Sequence, residues 1–273
     1  MANTSAHPVR FLHISDTHIK ADPTFTLYGH RPYDALKQLV ATINALPYAF
    51  DFILHTGDVV DDGFPDSYTN AKSLLSELRA PIYYLSGNHD NVKTLQRDLV
   101  GIETPADRYD QAFTVGDVQF VALDSMGLGE GPGGHLTETQ LAWLRGYCTP
   151  DGPPLVVALH HQPLLLDVPW LDEITMMPSA MLVDNHPAFW EAIRPAARRL
   201  RAVLFGHIHR STQTVQEGML FSSAPSACAQ LKTWPELRAP QSAPEEAPGY
   251  CLVTIYSDRT LIQQYTFALP PSV

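Results

Sequence analysis

The sequence predicts an α/β fold, a four-layer αββα sandwich of two mixed β-sheets packed face to face with flanking helices. Three observations lead there. Short apolar runs alternate with amphipathic stretches over the first two hundred residues; a turn-bounded hairpin interrupts them; and after Gly206 the pattern becomes purely strand-like.

The β-like runs are Arg10–Ser15, Phe50–Thr56, Ile82–Ser86, Leu155–Leu159 and Ala202–Gly206. Between them, helix-period stretches cover Tyr33–Leu46, Ser67–Leu78, Val92–Val100, Glu138–Tyr147 and Pro187–Leu200. Phe113–Val115 and Val118–Leu123 flank Gly116-Asp117, the strongest local hairpin signal in the chain. The tail reads as successive antiparallel strands at Thr212–Val215, Met219–Ser223, Tyr250–Tyr256 and Thr260–Phe267, with turns at Glu217-Gly218 and Ser257-Asp258. The Pro/Ala/Glu-rich segment Trp234–Pro248 is a surface loop, because a sheet-forming run follows it. We therefore expect one domain over 1–273, with 207–273 adding antiparallel strands to it.

Composition narrows the function classes. With 45% hydrophobic and 17% charged residues the chain can bury a core. A net charge of −11 argues against a duplex nucleic-acid partner, which needs a basic face. An acidic protein still handles a small phosphate ester when metal cations reverse the local field. Met1–Pro8 has neither a basic nor an apolar region, so no signal peptide is expected. No stretch approaches the ~18 apolar residues of a span, so no membrane partner is expected. Cys148, Cys228 and Cys251 are odd in number and widely spaced, and read as unpaired thiols in a reducing cytoplasm.

The chemistry lies where the apolar runs end. Asp16-Thr17-His18, Gly57-Asp58, Gly87-Asn88-His89-Asp90, His160-His161 and Gly206-His207-Ile208-His209 each close a strand-like run. In open α/β sheets the crevice outside those carboxyl ends is where sites form. Each piece alone is ordinary: a capping Asp, a turn, a rim histidine. In Gly206-His207-Ile208-His209, a period of two on extended backbone would place both imidazoles on one face. Taken together, the donors mix carboxylate, imidazole and amide oxygen without thiolate. Such a set disfavours a structural zinc site and suits Fe, Mn, Zn or Co. With one carboxylate shared, there are enough donors for two ions about 3.5–4 Å apart.

These blocks resemble the calcineurin-like metallophosphoesterase superfamily, and within it the class III cyclic nucleotide phosphodiesterases of bacteria. The narrower resemblance is carried by Asp61-Asp62-Gly63, Ala122-Leu123-Asp124-Ser125, Gly134-x-Leu136 leading to Gln140-Leu141-x-Trp143-Leu144, and Trp170-Leu171-Asp172. The resemblance implies that Asp16, His18 and His209 hold one ion, that Asn88, His160 and His207 hold a second, and that Asp58 bridges them. It implies that His89 lies beside the scissile phosphate without binding metal, as the catalytic residue, with Asn88 also touching substrate. Purple acid phosphatases of the superfamily carry a Tyr three residues after the bridging Asp; here Asp61 stands there, so no tyrosine-to-iron charge-transfer band is expected.

The implied activity is dinuclear-metal-dependent hydrolysis of a small anionic phosphodiester, a 3',5'-cyclic nucleotide first, by attack of a metal-held hydroxide. A glycerophosphodiesterase or broad phosphomonoesterase on the same core, or a non-catalytic metal-stabilised scaffold, are the alternatives. Asp90 either orients His89 or caps the following helix. His161 is an outer neighbour of the ligands or a substrate contact. His135 ends the Gly-rich loop Gly127–Gly134, which either covers the site or is a plain loop. Trp170 and Met176-Met177 either wall a nucleobase or pack within the protein. A homodimer is the expected assembly if the edge offered by the C-terminal strands is used.

Overall fold

The computed structural model describes residues 7–126, 133–173 and 181–269. Eleven strands form two sheets: β1 (Val9–Ile14), β2 (Phe52–His55), β3 (Ile82–Tyr84), β4 (Gln111–Val115), β5 (Val118–Ala122), β6 (Leu155–Ala158), β7 (Leu200–Phe205), β8 (Gln213–Gln216), β9 (Met219–Ser223), β10 (Gly249–Ile255) and β11 (Thr260–Thr266). The first sheet runs β11-β10-β1-β2-β3 and the second β4-β5-β6-β7-β9-β8. β1, β2 and β3 are parallel, as are β5, β6, β7 and β9; the edges β11 and β10, β4, and β8 pair antiparallel. Parallel strands buried on both faces need no polar alternation, which is why they read as unbroken apolar runs.

Three apolar layers follow from strand alternation. Phe11, Phe52, Phe120, Val156, Leu204 and Val253 face one another between the sheets. Leu12, Ile14 and Ile53 point the other way, onto α1 (Pro32–Asn44) and α2 (Pro65–Leu75). Val121, Val157 and Val203 pack under α4 (Glu138–Tyr147) and α6 (His186–Ile193). The α/β sandwich of two mixed sheets with flanking helices is thus present as the sequence predicts.

The tail departs from a simple meander. β8–β9 is a hairpin in the second sheet, with β9 parallel to β7, whereas β10–β11 is a hairpin added to the first. The chain crosses between the layers after β9, and residues 224–231 pass over the carboxyl ends of the central strands. Two predicted helices also come out shorter. Val92–Val100 divides into α3 (Val92–Leu95) and one π-turn, Gln96–Val100, stopped at Gly101 with φ +85°. Helix α6 ends at Ile193 and tightens into a 3₁₀ turn at Arg194–Ala196, where Pro195 removes a donor. A further short helix, α5 (Pro169–Asp172), precedes the undescribed residues 174–180.

Candidate metal centre

The loops leaving β1 and β2 are joined by main-chain bonds: Asp16 N–H donates to Gly57 O, and Thr17 and His18 N–H to Asp58 O, all near 3 Å. Asp16, His18, Asp58, His207 and His209 have φ between +47° and +70°. A left-handed conformation is costly for residues with a Cβ and persists where the surroundings enforce it, commonly at functional sites. Here the enforcement is packing. Gly87 and Gly206 have no room for a side chain: a Cβ on the first would clash with Asp58 and on the second with Ser15. The donors are thus brought together by backbone contact that glycine alone permits.

The His207–His209 pair corrects an expectation. Its backbone is left-handed, not extended, so the two rings do not share a strand face. They diverge around buried Ile208 to serve two places: His207 Nδ1 lies 3.1 Å from His160 Nε2, and His209 Nε2 lies 2.9 Å from His18 Nε2.

Two adjoining groups of donors result. In one, His18, His209 and Asp16 converge, with His209 Nε2 3.7 Å from Asp16 Oδ1. In the other, His160 Nε2 lies 3.2 Å from Asn88 Oδ1 and close to His207. Asp58 Oδ2 stands between them, 3.6 Å from His18 Nε2 and 3.3 Å from His160 Nε2. Its other oxygen, Oδ1, accepts the N–H of His89 at 2.9 Å, which fixes the carboxylate plane.

Outer contacts decide which ring nitrogen faces inward. His18 Nδ1 donates to Asp61 Oδ1 (3.2 Å), His160 Nδ1 to Thr56 O (2.7 Å), and His209 Nδ1 to Ala229 O (2.8 Å). With His18 and His209 neutral, Nε2 of each is then a lone pair aimed at other acceptors. His18 Nε2 and His209 Nε2 at 2.9 Å, beside two carboxylates, repel unless a cation lies among them. The donor set therefore fits metal ions. When bound, two such ions polarise a phosphoryl group and make water nucleophilic near neutral pH.

Titration follows the same geometry. Burial lowers His18 and takes His209 down to about 4. Burial opposes it at His160, but the Asp58 carboxylate raises that ring to about 9. Asp58 itself, despite burial, is held well below the usual carboxylate range by His160 and His18.

His89 lies half-exposed at the mouth. Its Nδ1 donates to Asp61 O at 2.9 Å, and its ring meets His18 edge-on at 4.8 Å. Burial pulls its pKa down, yet Asp58 and both the carbonyl and carboxylate of Asp61 outweigh this and leave it raised. Asp61, not Asp90, is thus the neighbour that orients His89. Asp90 instead accepts the N–H groups of Val59, Val60 and Gly87, and Asn91 caps α3.

A cleft of about 120 Å³ opens onto these donors, bordered by Asp61, Asn88, His89 and an apolar side made of Leu27, Tyr28, Met181 and Leu231. Sequence reasoning missed those four and the outer role of residues 224–231, because they come from separate loops with no metal-capable pattern. His161 is wholly buried, its Nδ1 2.8 Å from Ser125 Oγ, and lies close to His160 and His207. His135 is not brought to the cleft; it pairs with Asp184 at 2.6 Å on the surface. Trp170 is buried in the core and donates to Lys232 O, while Met176, Met177 and residues 127–132 lie outside the described residues.

Comparison with known proteins agrees with this geometry. The family model described as calcineurin-like phosphoesterase matches residues 9–211. A 3',5'-cyclic adenosine monophosphate phosphodiesterase, CpdA, of Pseudomonas aeruginosa is 31% identical over 93% of this chain and 88% of its own. A 3',5'-cyclic-nucleotide phosphodiesterase of Nostoc sp. is 28% identical over 96% and 95%. A dimetal phosphatase from Danio rerio, at 16% identity, shares the fold with a TM-score of 0.68 over 96% of this chain and 99% of that one. The chain, in sequence motif and in fold, belongs to the calcineurin-like phosphoesterase family.

Proposed function

We propose that this protein is a metal-dependent phosphoric diester hydrolase whose substrate is a small anionic diester, a 3',5'-cyclic nucleotide. The observation that carries the reading is the meeting of two donor groups at Asp58, with His89 at the mouth of the same cleft. Asp16, His18 and His209 would hold one ion, Asn88, His160 and His207 the other, and Asp58 both. Fe, Mn, Zn and Co all suit these donors. The curated relatives named as cyclic-nucleotide phosphodiesterases support the substrate class. So does the apolar side of the cleft, which gives the organic part of a diester a surface to lie against.

His89 acts on the leaving group. With Nδ1–H committed to Asp61 O, Nε2 is the atom available to carry a proton, and Asp58 and Asp61 favour the charged ring against the pull of burial. It stabilises charge gathering on the phosphoryl oxygens and protonates the departing ribose oxygen. Asn88, which borders the same cleft, would also contact the phosphate. His161, buried in one group with His160 and His207, would support those two ligands, and His135, paired with Asp184, has no part in the reaction.

The three cysteines are buried and unpaired, which supports a reducing cytoplasmic setting. Among the described residues no helix is long and apolar enough to cross a membrane.

The test is turnover of bis- and mono-p-nitrophenyl phosphate and of cAMP by Mn-loaded protein. Hydrolysis of the diester and of cAMP, abolished by a chelator, is the expected result. Diester turnover without cAMP hydrolysis would reject the substrate. Two bound ions with no turnover of any ester would favour the scaffold alternative.

A further inference from the structure

We propose that Tyr68, a residue of α2 remote from the donors, is a positioning residue that sets the spacing between the loops carrying Asp58 and Asn88. The inference rests on the metal-centre reading above. Tyr68 is completely buried in the apolar layer beneath the first sheet, with Val59, Val60, Ala71 and Leu95. A hydroxyl in such a place destabilises the fold unless it is bonded. Here it accepts the N–H of Asn91 at 2.8 Å and donates to Asp90 Oδ1 at 3.0 Å, with Asn91 O a longer second acceptor at 3.4 Å.

Asp90 collects three further donors. Val59 N–H (3.1 Å) and Gly87 N–H (3.0 Å) reach Oδ2, and Val60 N–H (3.2 Å) reaches Oδ1. One carboxylate thus joins the turn after β2 to the turn after β3, and Tyr68 fixes that carboxylate from the helix layer. On the opposite side the same two turns meet again, where Asp58 Oδ1 accepts His89 N–H at 2.9 Å. Between these two ties Gly87 is packed against Asp58 with no space for a side chain. Displacement at Asp90 therefore passes without slack to Asp58, Asn88 and His89. In such a site a misplacement of about 1 Å can cost on the order of a hundredfold in rate. A phenylalanine would fill the apolar position equally well, so the work of the hydroxyl is to hold the turn.

Tyr68→Phe in Mn-loaded protein tests this, with kcat, KM and the electron paramagnetic resonance signal of paired Mn ions as readouts. We expect kcat on bis-p-nitrophenyl phosphate to fall about tenfold while KM stays within about twofold, and the exchange-coupled Mn signal to weaken. Asp90→Asn, which keeps the shape of the side chain, should repeat the pattern and serves if Tyr68→Phe does not fold. Wild-type kcat together with an undiminished coupled signal in both variants, or in Asp90→Asn alone if Tyr68→Phe does not fold, would overturn the proposal, whatever the change in melting temperature. Absence of a coupled signal in the wild type would overturn the metal-centre reading with it.

Discussion

Two buried histidines touch the same residue and titrate in opposite directions. His13, in the layer between the sheets, lies 2.9 Å from Thr56 Oγ1; His160, in the cleft, donates to Thr56 O at 2.7 Å. Burial alone drives His13 down to about 3, whereas Asp58 and Asp16 take His160 up to about 9 against the same burial. The difference is whether carboxylates are present, not depth. The apolar layer expels charge and stores stability; a few residues beyond the strand ends, left-handed turns gather carboxylates and imidazoles at a cost that the layer must offset. Fold and chemistry are therefore separable, and substitutions on the two sides of Thr56 should act on different observables.

The largest effect belongs to the layer. Phe120 is buried against Phe11 and Phe52, with ring centroids at 5.5 and 5.1 Å. Phe120→Ala should cost about 3–5 kcal/mol in urea unfolding, while the protein that remains folded keeps its metal content. Loss of metal in that folded fraction would show the two regions are not separable. On the cleft side, His89→Ala should lower kcat by about 10²–10⁴ with metal content and unfolding midpoint unchanged; loss of an ion would remove His89 from its proposed role.

Asp61→Ala sharpens the boundary further. Removing the acceptor of His18 Nδ1 should weaken binding of one ion about tenfold, measured by competition with a chelator. Unaltered affinity would mean that the backbone, with His18 N–H bonded to Asp58 O, is enough to orient His18.

The last effect is graded with pH. His13 has a folded pKa of about 3 against an ordinary 6.5, so the unfolded chain binds more protons between those values. Its contribution to stability is complete above pH 6.5 and declines as pH falls towards 3, by at most ~1.4 kcal/mol per pH unit. His13→Gln should flatten the acid limb of metal-free unfolding free energy between pH 6.5 and 4.5. An equal slope in the variant would contradict the assignment.

Much of this was legible before any coordinates. The α/β sandwich follows from apolar runs of strand length alternating with amphipathic stretches, since doubly buried parallel strands leave that trace. The donors were legible because chemistry at strand ends is polar where the run is apolar. What was hidden depends on distance contacts. Nothing local shows that Gly206-His207-Ile208-His209 turns left-handed, because the turn is held by contacts distant in sequence, His207 N–H donating to Asp16 Oδ1 and Gly206 N–H to His160 O. Asp61, noted in sequence only as part of Asp61-Asp62-Gly63 and as standing where a Tyr would, proves to hold both His18 and His89. Tyr28 and Leu231 enter the cleft from loops more than two hundred residues apart, and His135, near the motifs in sequence, is turned to Asp184.

The central claim is that one carboxylate organises two ions. Anomalous diffraction from crystals of Mn-loaded protein tests it most directly. The account predicts two peaks about 3.5–4 Å apart, with Asp58 reaching both, His18 and His209 on one side and His160 and His207 on the other. A single peak, or two that Asp58 does not join, would contradict it.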